Sequence, residues 1–184
     1  LIDNPPTAAT VNGTDYAINT DYRTVLSYLR LLDDEDLSDQ DKTALALVLF
    51  FGRKIKSADV EGLVTYVRWY INCGQEPEKN EKPKERYFDI LIDSGRIFAA
   101  FFQTYDINLR ETSIHWWTFC ELLAGLPKGT HLADVIDIRA RPFRPDMKPG
   151  ERNELADLKR HYALDEKKDD VIGNLFDSLA GGCG

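Results

Sequence analysis

The chain has 184 residues, 43% of them hydrophobic and 29% charged, with 31 acidic against 23 basic side chains and a net charge of −8. That is an ordinary soluble composition, long enough to bury a sizeable core, and its acidic balance opposes general affinity for nucleic acid or anionic membrane, both of which draw on excess Lys and Arg. No apolar run is long enough to span a bilayer, the opening Leu-Ile-Asp-Asn-Pro-Pro does not read as a secretory signal, and Cys73, Cys120 and Cys183 are too few and too scattered for a disulfide framework or a zinc site.

The first element is a β-hairpin over residues 8–18, where Asn12-Gly13 separates two short alternating runs. Two strands are marginal alone, so the ribbon either packs on the helices or extends a partner's sheet. Tyr22, Val25, Leu26, Leu29 and Leu32 then fall on one helical face, capped by Thr20 or Asp21. Ser38-Asp-Gln-Asp41 resembles a capping box and opens a helix ending at Gly52, whose Leu45, Leu47, Val48, Leu49 and Phe51 predict that it is mostly buried. A third helix starts at Ser57, carries Leu63, Val67 and Ile71 with Tyr66, Trp69 and Tyr70 beside them, and stops at Gly74.

Residues 75–86 mix both charges with two prolines and no apolar side chain, which predicts a mobile charged loop. Next comes the densest apolar stretch of the chain. Asp93 or Ser94 caps a helix with Ile97, Phe98, Phe101, Phe102 and Tyr105, so broadly apolar that burial all round is expected. Trp116, Phe119, Cys120 and Leu123 form the core stripe of a second helix, and the short joint between the two suggests one shared core. Trp117 lies about a hundred degrees from Trp116, which makes it a rim residue and a candidate for partner binding. Thr130 caps a helix through Leu132, Val135 and Arg139 that ends at Arg141-Pro142; residues 142–150 read as irregular, and 151–162 as amphipathic helix. The reading is a mainly α protein: one helical domain over 1–164 of about six helices, with a flexible tail over 165–184. Within that tail Val171, Ile172, Leu175, Phe176 and Leu179 are further partner-binding candidates.

Reactive groups do not converge. His115, His131 and His161 sit in different predicted helices without metal-ligand spacing, and there is neither a glycine-rich phosphate loop nor a nucleophile elbow. The expectation is a non-enzymatic protein with no catalytic residues, cofactor or metal. Arg139, Arg141, Arg144, Lys148 and Arg152 form a basic cluster that could grip phosphate, but Asp137, Asp146, Glu151 and Glu154 are interleaved with them. A nucleic-acid-binding regulator using the 139–160 region is therefore the alternative reading.

Several stretches together carry a resemblance: Tyr16-Ala-Ile-Asn-Thr-Asp-Tyr-Arg23, Ile97-Phe-Ala-Ala-Phe101, Tyr105-Asp-Ile-Asn-Leu109, His115-Trp-Trp-x-Phe119 and Leu158-Lys-Arg-His-Tyr-Ala-Leu164. The chain resembles a family of tailed phages of Gram-positive hosts catalogued as bacteriophage gene product fifteen, across most of its length. The resemblance implies a role in phage morphogenesis as a tail assembly chaperone, since genes of the family lie between those for the major tail protein and the tape measure. It implies no catalytic residues. The partners it suggests are the tape-measure protein and the major tail protein, with self-association open, and the place it suggests is the host cytoplasm during infection.

Overall fold

The computed structural model describes residues 4–75 and 85–164. These residues hold a two-stranded antiparallel sheet and seven α-helices, so the protein is mainly α with an N-terminal hairpin, as the sequence predicts. Contacts divide the chain into two compact units, the first made by residues up to Lys79 with Ser113–Glu121, the second by Asn80–Thr112 and the chain from Leu122 onward.

In the first unit, strands β1 (Ala8–Val11) and β2 (Thr14–Ala17) pair with Val11 opposite Thr14 and Ala9 opposite Tyr16. Asn12 and Gly13 both have positive φ, 48° and 74°, as a two-residue hairpin turn requires. Helices α1 (Tyr22–Leu32) and α2 (Asp39–Phe51) follow, then a short 3-10 turn (Ser57–Asp59) leading into α3 (Val60–Ile71). The caps are largely those the sequence suggests. Asp21 accepts the Arg23 N–H at 2.9 Å, and Ser38 Oγ accepts the Asp41 N–H at 3.1 Å while donating to the Asp41 carboxylate at 2.6 Å.

The hairpin packs on α3. A Cβ at Gly62 would lie 2.5 Å from Val11 Cγ1, so only glycine lets the strand approach there. Ala9, Tyr16, Leu47 and Leu63 form a buried cluster with Val11, Phe51, Ile55 and Tyr66 against it. Tyr66 donates its hydroxyl to the Ala8 carbonyl at 2.9 Å. Helix α5 (Trp116–Ala124) enters this unit through its first residues. Trp116 is fully buried and donates Nε1–H to the Ile71 carbonyl at 2.9 Å, and Phe119 stacks on Tyr22 with ring centroids 4.7 Å apart.

The second unit contains α4 (Ser94–Tyr105), α6 (His131–Ala140) and α7 (Pro149–His161). Its buried side chains include Phe88, Ile97, Phe101, Leu132, Val135 and Leu155. Helix α4 is joined to α6 through the buried carboxylate of Asp93 and the guanidinium of Arg139, and within the same unit its Tyr105 hydroxyl donates to the Leu122 carbonyl in the last turn of α5 at 2.8 Å. Asp93 does stand at the N-cap position of α4, but its carboxylate caps nothing there; it accepts from Arg139, Arg96 and the Asp89 N–H instead. Nor is α4 buried all round. Phe102 is 52% exposed and stacks on Phe98, over which Arg110 lies at 4.6 Å.

Thr130 caps α6 as expected, accepting the Ala133 N–H at 3.3 Å, and the helix ends at Ala140 before the extended Arg141. Helix α7 begins two residues earlier than the sequence reading, at Pro149. Proline at the first helical position needs no N–H partner and already has a helical φ, and Glu151 reaches back to the Lys148 N–H at 3.3 Å.

Candidate functional site

Of the partner-binding candidates, Trp117 is the one inside the described residues; Val171, Ile172, Leu175, Phe176 and Leu179 lie outside them, as does most of the 75–86 segment. Trp117 is half-buried. Its indole N–H donates to the Tyr70 carbonyl at 2.8 Å, and its ring meets Trp69 edge-on at 5.3 Å and Tyr70 at 6.1 Å. What covers it is the end of α3, where Gly74 leaves room for the ring: a Cβ there would come within 3.0 Å of Trp117.

This contact belongs to a row of aromatic rings. Phe51, Tyr66, Trp69 and Trp117 follow one another at centroid spacings of 6.3, 5.2 and 5.3 Å, with Tyr70 beside them. Burial raises the Tyr70 phenol far above its ordinary range. His115 stands just before α5. Its Nδ1 accepts the backbone N–H of Trp117 at 3.1 Å, which leaves the proton on Nε2, directed at the Pro6 carbonyl 3.0 Å away. Both ring nitrogens therefore serve the backbone, one as the cap of α5 and the other as a tie to the N-terminal segment.

The surface that the sequence did not disclose is the outer face of α2. Ala46, Leu47 and Phe50 turn inward, while Leu45 and Val48 are 44% and 41% exposed, with Ala44 beside them. The mostly buried helix expected here is corrected to one buried on a single side. A helix apolar around its whole circumference has no periodicity to show which side is covered, so only the packing reveals it. A separate groove of about 320 Å3 between α1, α2 and α3 is lined by Tyr28, Leu32, Lys42, Leu47 and Arg68 among others. No His, Cys or Ser lines it, and Lys42 Nζ is held by the Leu32 carbonyl at 2.8 Å.

The basic cluster does not act as one patch. Arg139 is only 7% exposed, and its guanidinium is shared among Asp93, the Tyr87 carbonyl and the Tyr162 carbonyl. It faces inward, and four of its five N–H groups are already taken within the protein. Arg141 pairs with Asp137 and Arg144 with Asp146, Lys148 precedes α7, and Arg152 lies over the Phe143 ring at 4.9 Å. Glu151 and Glu154 line the same groove as Arg141 and Arg144, which offsets the positive field there. Among the described residues no group of His, Cys, Asp and Glu is placed to hold a metal ion, and no helix is long and apolar enough to cross a membrane.

The arrangement is that of a mainly helical protein whose distinctive features are surfaces and clasps. Residues 1–164 match the family described as Bacteriophage Gp15 protein, and the chain belongs to that family of phage structural and morphogenesis proteins. No curated protein and no solved structure matches it.

Proposed function

We propose that this phage morphogenesis protein is a tail assembly chaperone that holds the tape-measure protein before the tail tube polymerises. The observation that carries the reading is the outer face of α2, where Leu45 and Val48 sit one helical turn apart and open to solvent on a helix whose other side is already packed. A long helical protein awaiting assembly exposes apolar stripes that aggregate unless covered, and a helix face with apolar side chains at i and i+3 suits such a stripe. The acidic net charge of −8 keeps a coated complex soluble. Trp117 has a smaller part in this reading, because its indole N–H is already bonded within the protein.

The test is co-expression with the tape-measure protein of the same genome, followed by sedimentation and size-exclusion chromatography. The expected result is a soluble tape measure that co-elutes with many copies of this chain. Leu45→Asp with Val48→Asp should abolish co-elution while leaving the thermal midpoint of the isolated protein within about 2 °C, since both side chains already face water. An insoluble tape measure with the wild-type chain eluting alone rejects the reading.

A further inference from the structure

Asn12 is followed directly by Gly13, and the two form the exposed turn of the hairpin. An asparagine side chain can be attacked by the backbone nitrogen of the next residue, and glycine hinders that approach least because it carries no side chain. Around Gly13 the space is open: an added Cβ would meet nothing within 4 Å, and no group of the described residues bonds its N–H. The group that would leave is held on both sides. Asn12 Nδ2 donates to Asp59 Oδ1 at 2.8 Å and to the Ala58 carbonyl at 3.4 Å, so both of its hydrogens are taken by the 3-10 turn that leads into α3.

We propose that Asn12 is a site of spontaneous deamidation, gated by its bonds to Asp59 and Ala58, and that the carboxylate it leaves unlatches the hairpin from α3. When those bonds open, the Gly13 nitrogen attacks Asn12 Cγ. An N–C bond forms, the Gly13 proton passes through water to Nδ2, the Cγ–Nδ2 bond breaks and ammonia departs, leaving a five-membered succinimide. Water then adds to one of the two ring carbonyls and the ring opens, to aspartate or to isoaspartate. One amide and one water thus yield one carboxylic acid, ionised at neutral pH, and one ammonia, with no oxidation or reduction. In the aspartate product an anionic oxygen replaces the donor that faced Asp59, so two carboxylates meet where a hydrogen bond had been. In the isoaspartate product the main chain gains a methylene, and the two-residue turn no longer fits the pairing of Val11 with Thr14. Release runs one way, since the ammonia is lost to solvent.

The experiment incubates the full chain at mildly alkaline pH and follows, by mass spectrometry, the tryptic peptide ending at Arg23, in which Asn4 and Asn19 serve as internal references. The expected product is a mass gain of about 1 Da at Asn12, divided between aspartate and isoaspartate. Its rate in the folded wild type should be about tenfold or more below that in urea, and Asp59→Ala should raise the folded rate by about tenfold, the factor carried by a hydrogen bond to a charged group. The comparison in urea needs no variant to fold. Equal rates in the folded and denatured wild type overturn the proposal, as does an Asn12 that stays intact in folded Asp59→Ala. Asn12→Asp and Asn12→Gly separate the new charge from the lost amide. At neutral pH Asn12→Asp should melt about 3 °C or more below Asn12→Gly, a gap that closes as the carboxyls are protonated below about pH 4. An Asn12→Asp chain as stable as wild type at neutral pH overturns the unlatching.

Discussion

Arg139 grips Asp93 with two parallel contacts, Nη1 to Oδ2 at 2.6 Å and Nη2 to Oδ1 at 3.0 Å, and the two side chains are 6% and 0% exposed. The same guanidinium bonds the carbonyls of Tyr87 and Tyr162, while Arg96 takes Asp93 from the other side at 2.8 Å. One charged group thereby joins the start of α4, the last turn of α6 and the end of α7. Removing a partner from such a site leaves a buried charge short of its counter-charge. Arg139→Ala should therefore cost about 3–5 kcal/mol, read from urea denaturation followed by circular dichroism. Arg139→Lys should recover little of it, since an ammonium cannot form the planar fork. A loss below about 1 kcal/mol would show that the pair is not the join described.

The hairpin is clasped by another buried carboxylate. Asp59 accepts from the Tyr16 hydroxyl at 2.6 Å and from the Asn12 amide at 2.8 Å. The Tyr16 hydrogen bond first, and then Asn12, hold the Asp59 carboxyl below its ordinary value, and the same bond to Asp59 raises the Tyr16 phenol. A carboxyl lowered in the folded state stabilises it above the unfolded value and ceases to do so as pH falls through the folded one. A phenol raised in the folded state stabilises it below the unfolded value and ceases to do so as pH rises through the folded one. The clasp should be fully effective between about pH 4 and pH 10. Thermal midpoints of wild type and Asp59→Asn should differ most inside that window and converge as the pH falls below about 4; a constant gap down to pH 2 contradicts the assignment.

Gly62→Ala places a methyl 2.5 Å from Val11 Cγ1. Alanine gains about 1 kcal/mol of helix propensity over glycine, against about 1–3 kcal/mol for overpacking. Since valine has a stiff χ1, the hairpin must shift, and the net effect should be destabilising. Val11→Ala in the same chain removes the clash, so the double variant should be more stable than Gly62→Ala alone. Additive losses in a double-mutant cycle would place the hairpin elsewhere.

His115→Ala should lower stability by about 0.5–2 kcal/mol, the usual cost of losing a helix cap. His115→Asn keeps a side-chain acceptor for the Trp117 N–H and should recover part of that loss. Thermal melts followed by tryptophan fluorescence suit this test, because Trp116 and Trp117 are the first residues of the helix that His115 caps. Equal losses in both variants would place the contribution of His115 in its Nε2 contacts with Pro6 and Tyr70 instead.

What could be read from sequence was local. The turn at Asn12-Gly13 and the caps at Asp21, Ser38 and Thr130 are settled within a few residues, and each stands where its spacing predicts. The partner of Asp93 is 46 residues away, and a helix start with an acidic residue and a serine looks the same whether or not its carboxylate is already taken. The outer face of α2 stayed hidden because Leu45, Leu47, Val48, Leu49 and Phe51 surround the helix, and periodicity distinguishes faces only when one of them is polar. Pro149 read as a breaker because prolines crowd residues 142–150, although at a first helical position it starts a helix.

The first unit is completed by residues that arrive late. Its core includes Trp116 against Ile71 and Phe119 against Tyr22, yet residues 80–112, which belong to the second unit, are translated in between. A ribosome therefore delivers the hairpin and α1–α3 with an opening where two large aromatic rings belong, and that opening persists until α5 has been made. N-terminal parts of a chain ordinarily fold first during synthesis. Here the N-terminal part cannot complete its core until residues 116–119 have followed it out of the ribosome.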